Sequence, residues 1–142
     1  MADLSITTTQ IIPTSDRTKI SHGKCGEAIT AGQSIYLKAS DGKYWKADCD
    51  AAASAQCRGI AIASTLAANQ EVTLQTGGTI TIGAGASITA GVVYVVSGTA
   101  GGIAPEGDMT TDDYMCILGV GNGSDGIVMP ENGPFYSGVQ HA

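Results

Sequence analysis

The residues best equipped for chemistry in this chain are four cysteines and two histidines. Cys25, Cys49, Cys57 and Cys116 form no C-x-x-C motif, and seven residues separate Cys49 from Cys57. Zinc sites usually show at least one tight C-x₂₋₄-C pair. His22, Cys25, Cys49 and Cys57 could be forced into a four-ligand site, but their spacing argues against a metal. Buried free thiols, packing as small hydrophobes, are the expectation. An even count of cysteines also permits disulfides, but these persist in oxidising compartments. The opening MADLSITTTQ has no basic segment and no apolar run of the kind that directs export.

Other candidate chemistries lack parts. Residues 121–126, Gly-Asn-Gly-Ser-Asp-Gly, match G-x-G-x-x-G. A dinucleotide site needs a strand before that motif and a helix opening within it. Ile127-Val128-Met129-Pro130 follows instead, so a hairpin loop is expected. No G-x-S-x-G elbow is present. A Cys–His pair would have to join His22 to Cys25, too near in the chain to be the usual partner. The acid pairs Asp48/Asp50 and Asp112/Asp113 could serve a glycosidase only across a cleft of about 5–9 Å. Asp108, Asp112 and Asp113 could hold calcium, but no EF-hand or glycine–aspartate repeat loop accompanies them. The expectation is a protein that is not an enzyme, with no catalytic residue, cofactor or metal. Tyr44-Trp45, between Lys43 and Lys46, is different. Adjacent strand residues face opposite sides, so one ring is core and the other is at the edge or surface. There it could bind a sugar or anchor an interface.

An internal repeat positions these residues. Ile29-Thr30-Ala31-Gly32 and Ile88-Thr89-Ala90-Gly91 each open a unit, and 59–60 residues separate the copies throughout. Each unit continues through an apolar strand (34–38; 92–96), a turn (Ser40-Asp41-Gly42; 98–102) and a second strand (44–48; 103–108). Each closes on a cysteine strand, Cys57-Arg58-Gly59-Ile60 or Cys116-Ile117-Leu118-Gly119-Val120. Asp41-Gly42 between alternating segments is a hairpin signal. Residues 71–75 and 79–82, around Gly77-Gly78, read as a further strand pair. Residues 51–56, after Asp50 as N-cap, are the one helix candidate, a turn or two long. The expected fold is all-β: a compact β-barrel or β-sandwich of two similar units (about 29–63 and 88–123) within a body of residues 25–129. Residues 1–24 read as an extended N-terminal arm and 130–142 as an extended C-terminal tail.

The composition is unusual in charge. The 142 residues hold 20 glycines and are 14% charged, against about 25% in an average domain. All seven basic residues lie between Arg17 and Arg58, so residues 1–58 carry seven bases and six acids. Residues 59–142 carry seven acids and no base, a net charge of −7. Phosphate backbones are neutralised by Lys and Arg, so nucleic acid is disfavoured as a partner. No apolar run of about 18 residues exists to cross a membrane. Two differently charged faces suit oriented docking on another protein.

The order of turns and strands from ITAGQSIYLKASDGKYWKADCDAAASAQCRGIAIAS through QTGGTITIGAGASITAGVVYVVSGTAGGIAPEGD to CILGVG resembles the head-decoration, or capsid cement, proteins of tailed bacteriophages. It covers about residues 24–129. The resemblance implies a structural virion protein, made in the host bacterial cytoplasm. Such a protein sits on the outer capsid surface, binds the major capsid protein and stabilises the shell, often as a homotrimer. It also implies an N-terminal arm, here residues 3–12, reaching the coat or a neighbour. Leu4, Ile6, Ile11, Ile12, Tyr44, Trp45, Phe135 and Tyr136 are the expected capsid or subunit interface. Similar β modules occur in phage tails and fibres, so the alternative is a module binding a host receptor or glycan.

Overall fold

Each repeat unit folds by the same pairing rule. In a computed structural model, the first unit supplies β3 (Ser34–Lys38), β4 (Lys43–Lys46) and β5 (Cys57–Ala61). The second supplies β7 (Val93–Val96), β8 (Ile103–Pro105) and β9 (Tyr114–Gly121). The opening strand of each lies between the other two, giving β4-β3-β5 and β8-β7-β9. The structure describes residues 3–4, 6, 11–13, 18–82, 88–110, 113–122, 126–130 and 133–140, with backbone alone for 12–13 and 137–140.

The ITAG turns are locked identically. The Gly32 N–H donates to the Ala61 carbonyl at 2.7 Å and the Gly91 N–H to the Gly121 carbonyl at 3.0 Å. In return the Ala61 N–H donates to Gln33 O and the Gly121 N–H to Val92 O, both at 2.9 Å. Gly32 and Gly91 sit at φ +94° and +79°, where a side chain is strained. Each closing strand also carries a bulge at the same place. Ile35 pairs Gly59 while Tyr36 pairs Cys57, leaving Arg58 unopposed. Tyr94 pairs Gly119 while Val95 pairs Ile117, leaving Leu118 unopposed.

The remaining strands join the units. β6 (Glu71–Thr81) is flanked by β5 and by β10 (Gly126–Met129), giving the order β4-β3-β5-β6-β10-β9-β7-β8. β1 (Ile12–Pro13) and β2 (Lys19–Lys24) also pair β6, and β11 (Phe135–Gln140) pairs β9. The chain is all-β, a curled antiparallel sheet that forms a half-barrel. Backbone hydrogen bonds clasp the two units to each other. Ser34 N–H donates to Gly101 O, Gly101 N–H to Ala47 O, Cys49 N–H to Ser97 O and Tyr114 N–H to Cys49 O, over 2.7–3.1 Å.

Two apolar clusters fill the fold. The larger joins Ala47, Cys57 and Ile60 of the first unit to Tyr94, Val96, Ile103, Cys116 and Leu118 of the second, with Ile80 and Ile127 between them. The smaller holds Cys25, Ile29, Ile35, Tyr44, Ala61, Val72 and Leu74. Ile60 faces one and its neighbour Ala61 the other, so β5 is buried on both sides.

The structure corrects two local expectations. Residues 71–82 do not form a strand pair. They form the single strand β6, which runs through Gly77-Gly78 without reversing. The Gln75 amide donates to the carbonyls of Gly77 and Thr79 at 3.0 and 3.1 Å and braces the chain there. Residues 51–56 form turns rather than a helix, and the capping carboxylate is that of Asp48, not Asp50. Its Oδ1 accepts from the Asp50 N–H and the Ser54 hydroxyl. Among the described residues of the segments read as arm and tail, 12–13, 19–24 and 135–140 are strands of the sheet. Their edges offer unpaired backbone groups that neighbouring strands satisfy.

At Gly59 and Gly119 the closing strands approach neighbouring backbone closely. A Cβ at Gly59 would lie closer than 3.0 Å to the Gln75 carbonyl oxygen, and one at Gly119 equally close to that of Val128. Backbone cannot yield as a flexible side chain can. Overpacking costs roughly 1–3 kcal/mol, and each kcal/mol lowers the melting temperature of such a chain by about 2–4 °C. Gly59→Ala and Gly119→Ala should therefore each melt about 2–12 °C below the parent chain by circular dichroism. A Gly107→Ala control, where a Cβ meets nothing within 4 Å, should stay near the parent value.

Candidate interaction surfaces

The N-terminal candidates lie against the chain's own body. The Leu4 N–H donates to Ile103 O at 2.8 Å, extending the outer edge of β8. Leu4, Ile6 and Ile11 are partly buried against the larger cluster. Ile6 and Ile11 fill the space that a Cβ on Gly32 would occupy. The Asp3 carboxylate accepts from the buried Ser97 hydroxyl. Ile6 also lines a cleft of about 260 Å³ between the first ITAG turn (Thr30, Ala31) and residues 99–102 of the second unit. The backbone of Ile12 pairs Thr81, and its side chain lies outside the described residues. A free arm would expose these aliphatic side chains to water, and packing on the body removes that cost.

Tyr44 and Trp45 divide as the alternation predicts. Tyr44 is buried in the smaller cluster. Trp45 is half-buried. Its Nε1 donates to Asp41 Oδ2 at 3.1 Å, its edge packs over Gly26, and Lys38 Nζ lies 4.5 Å from the ring centroid. That cation–π contact covers an indole face a sugar would need. At the other terminus, Tyr136 packs on the larger cluster, whereas Phe135 is 60% exposed.

Val120 and Val128 were not among the candidates, yet they are 40% and 47% exposed. Register places them with Phe135. Val93 pairs Val120, Val120 pairs Val128, and Val95 pairs Ile117, which pairs Phe135. Directly opposed residues share a face, and Val93 and Val95, two apart on β7, share it too. Val95 is buried within this face, while Val120, Val128 and Phe135 stand out of it. The signal was the Gly119 bulge, which switches the alternation of β9 and turns Val120 outward.

The reactive groups are held quiet. All four cysteines are free and buried. Cys25 Sγ is 3.4 Å from Thr65 Oγ1 and 3.3 Å from Ala67 O. His22 is on the surface beside Thr73 and Glu71, so the set His22, Cys25, Cys49 and Cys57 does not converge. Among the described residues, Cys49, Asp50 and Asp113 do bring one donor atom each within 4.8 Å of one another. The Cys49 thiol hydrogen-bonds the Asp113 carboxylate, whose Oδ2 also accepts from the backbone and hydroxyl of Thr110. Of the proposed calcium set, Asp112 lies outside the described residues. The G-x-G-x-x-G stretch joins the ends of β9 and β10, which pair as a hairpin, and among the described residues no helix follows it. No helix among the described residues is long and apolar enough to cross a membrane.

No protein-family model, curated protein or solved structure matches the chain.

The thiols make a measurable signature. Burial, with Asp113 and Asp50 nearby, pushes Cys49 up to about 12. Burial pushes Cys116 up to about 11 and Cys57 well above the ordinary value of 9.0. A raised folded value favours the protonated thiol in the native state. That contribution is complete below pH 9.0 and is lost as pH rises towards 11–12. Denaturant midpoints should therefore fall across that window, and replacing Cys49 and Cys116 by Ala should flatten the fall. At neutral pH, iodoacetamide should label Cys49, Cys57 and Cys116 only after unfolding, because the thiolate is the nucleophile.

Proposed function

We propose that this chain is a structural virion protein that decorates the outer surface of a phage capsid by binding the major capsid protein. The observation that carries the reading is the exposed row of Val120, Val128 and Phe135 on one face of the sheet. Clustered exposed apolar side chains mark protein interaction surfaces. The sequence pattern behind the resemblance also corresponds to paired elements, since both units repeat one topology, one turn lock and one bulge. The tail or fibre reading leans on Trp45 as a sugar platform, and its Lys38-covered indole favours the capsid reading over it.

On this reading the chain stabilises shells by mass action. It binds the assembled lattice and not the free coat subunit, so the shell gains stability as free chain exceeds its dissociation constant. Purified chain added to expanded capsids that lack it should bind saturably and raise their disruption temperature. Gold-labelled chain should appear over the head in electron micrographs. Label confined to the tail, or no gain in shell stability at saturation, would replace this reading with the fibre module.

A further inference from the structure

Five strands surround the smaller apolar cluster. The ladder β4-β3-β5-β6 continues into β2, which pairs β6 from Lys19 to Lys24. The chain then returns to β4, because Cys25 bridges Tyr44 and the Gly26 N–H donates to Tyr44 O at 2.8 Å. Between these strands and Gly133-Pro134, which lead into β11, lies a pocket of about 180 Å³. Its polar lining comes from Ser21 on β2, Tyr44 on β4, Arg58 on β5 and Thr76 on β6. A Cβ on Gly133 would lie 3.3 Å from Thr76 O, so this part of the tail is seated directly against β6.

Strand pairing gathers these polar groups. Ser21 pairs Leu74, and directly opposed residues share a face, here the one that Leu74 gives to the smaller cluster. Thr76, two residues after Leu74, shares that face too. Arg58 is the residue left unopposed at the β5 bulge. Among the described residues, its guanidinium has no ion pair or hydrogen bond, and no acidic side chain lines the pocket. The hydroxyls of Ser21 and Tyr44 have no hydrogen-bond partner among them either. Thr76 Oγ1 reaches only Lys19 O, at 3.4 Å. Tyr44 is 8% exposed, and polar groups so deeply placed are nearly always hydrogen-bonded. The pocket is the side from which a partner can reach it.

We propose that this pocket binds a carboxylate. The planar guanidinium of Arg58 takes both carboxylate oxygens as a fork, and the Tyr44 and Ser21 hydroxyls donate to the lone pairs that remain. One base among neutral hydroxyls matches a single negative charge. A phosphate group carries nearly two. The carboxylate belongs either to a free small acid or to an Asp or Glu side chain of a partner protein, and the same atoms serve both. The site uses none of Val120, Val128 and Phe135, and it does not rest on the capsid reading.

The test is an amide-resolved NMR titration of the full chain with sodium acetate and, separately, with an acetylated, amidated Gly-Glu-Gly peptide. The amides of Ser21, Arg58, Thr76 and Gly133 should shift saturably, with a dissociation constant on the order of 1 mM. Arg58→Gln should weaken binding by about tenfold or more, because it removes a charged donor. Tyr44→Phe, which keeps the ring in the cluster, should weaken it by about two- to tenfold. Lys24→Gln, at the other end of β2 where Lys24 pairs Glu71, should titrate like the parent. Acetate binding at least as tightly as the peptide identifies a free acid as the ligand, and a tighter peptide identifies a partner's side chain. Either result upholds the site. Circular dichroism checks the fold, and Arg58→Gln, at an exposed position, decides the matter if Tyr44→Phe unfolds. Shifts that fail to saturate by about 50 mM, an Arg58→Gln chain that binds as before, or inorganic phosphate that binds more tightly than acetate would each overturn the proposal.

Discussion

The fold depends on backbones that approach more closely than a side chain permits. At Gly59 and Gly119 the closing strand of each unit lies against the carbonyl of the next strand, Gln75 on β6 and Val128 on β10. The missing methyl lets β5 and β9 bulge and still keep their ladders on both sides. The bulge then decides which side chains enter the core. Cys57 and Ile60 enter the larger cluster from one unit, and Cys116 and Leu118 from the other. A single geometric exception, made twice, supports the sheet, the core and the exposed row.

Duplication does not make the halves equivalent. The first unit is buried on both sides, with Ala61 and Ile35 facing the smaller cluster and Ile60 the larger. The second turns one side to the shared core and leaves the other partly bare. That asymmetry coincides with the charge partition, since the basic residues of the described strands all lie on β2 to β5. One architecture therefore carries two chemically distinct surfaces.

Local signals were the legible ones. The ITAG turns, the Asp41-Gly42 hairpin and the Tyr44/Trp45 alternation depend on a few adjacent residues, and sequence displays them directly. The orientation of Val120 was hidden because it depends on Leu118 standing unopposed, a fact about pairing between β7 and β9. Gly77-Gly78 resembled a turn because glycine permits reversal. Whether the chain reverses was decided by Gln75 and by strands from distant parts of the sequence. Cys49 and Asp113 lie 64 positions apart, and the clasp between units brings them together. Leu4, Ile6 and Ile11 are apolar in any reading, but only the folded body shows that it offers them a seat.

β6 takes strands on both edges, and those strands become available at very different times. β2 and β5 pair its first half and precede it in the chain. Its Gly78–Thr81 stretch is paired along one edge by β10, some 45 residues further on. While the chain is being made, that edge stands open, with Ile80 and Ile82 still uncovered by Ile127 and Met129. Open edges beside apolar side chains are templates for wrong pairing. The order of synthesis, rather than the stability of the finished sheet, thus sets the interval in which this protein is most exposed to aggregation.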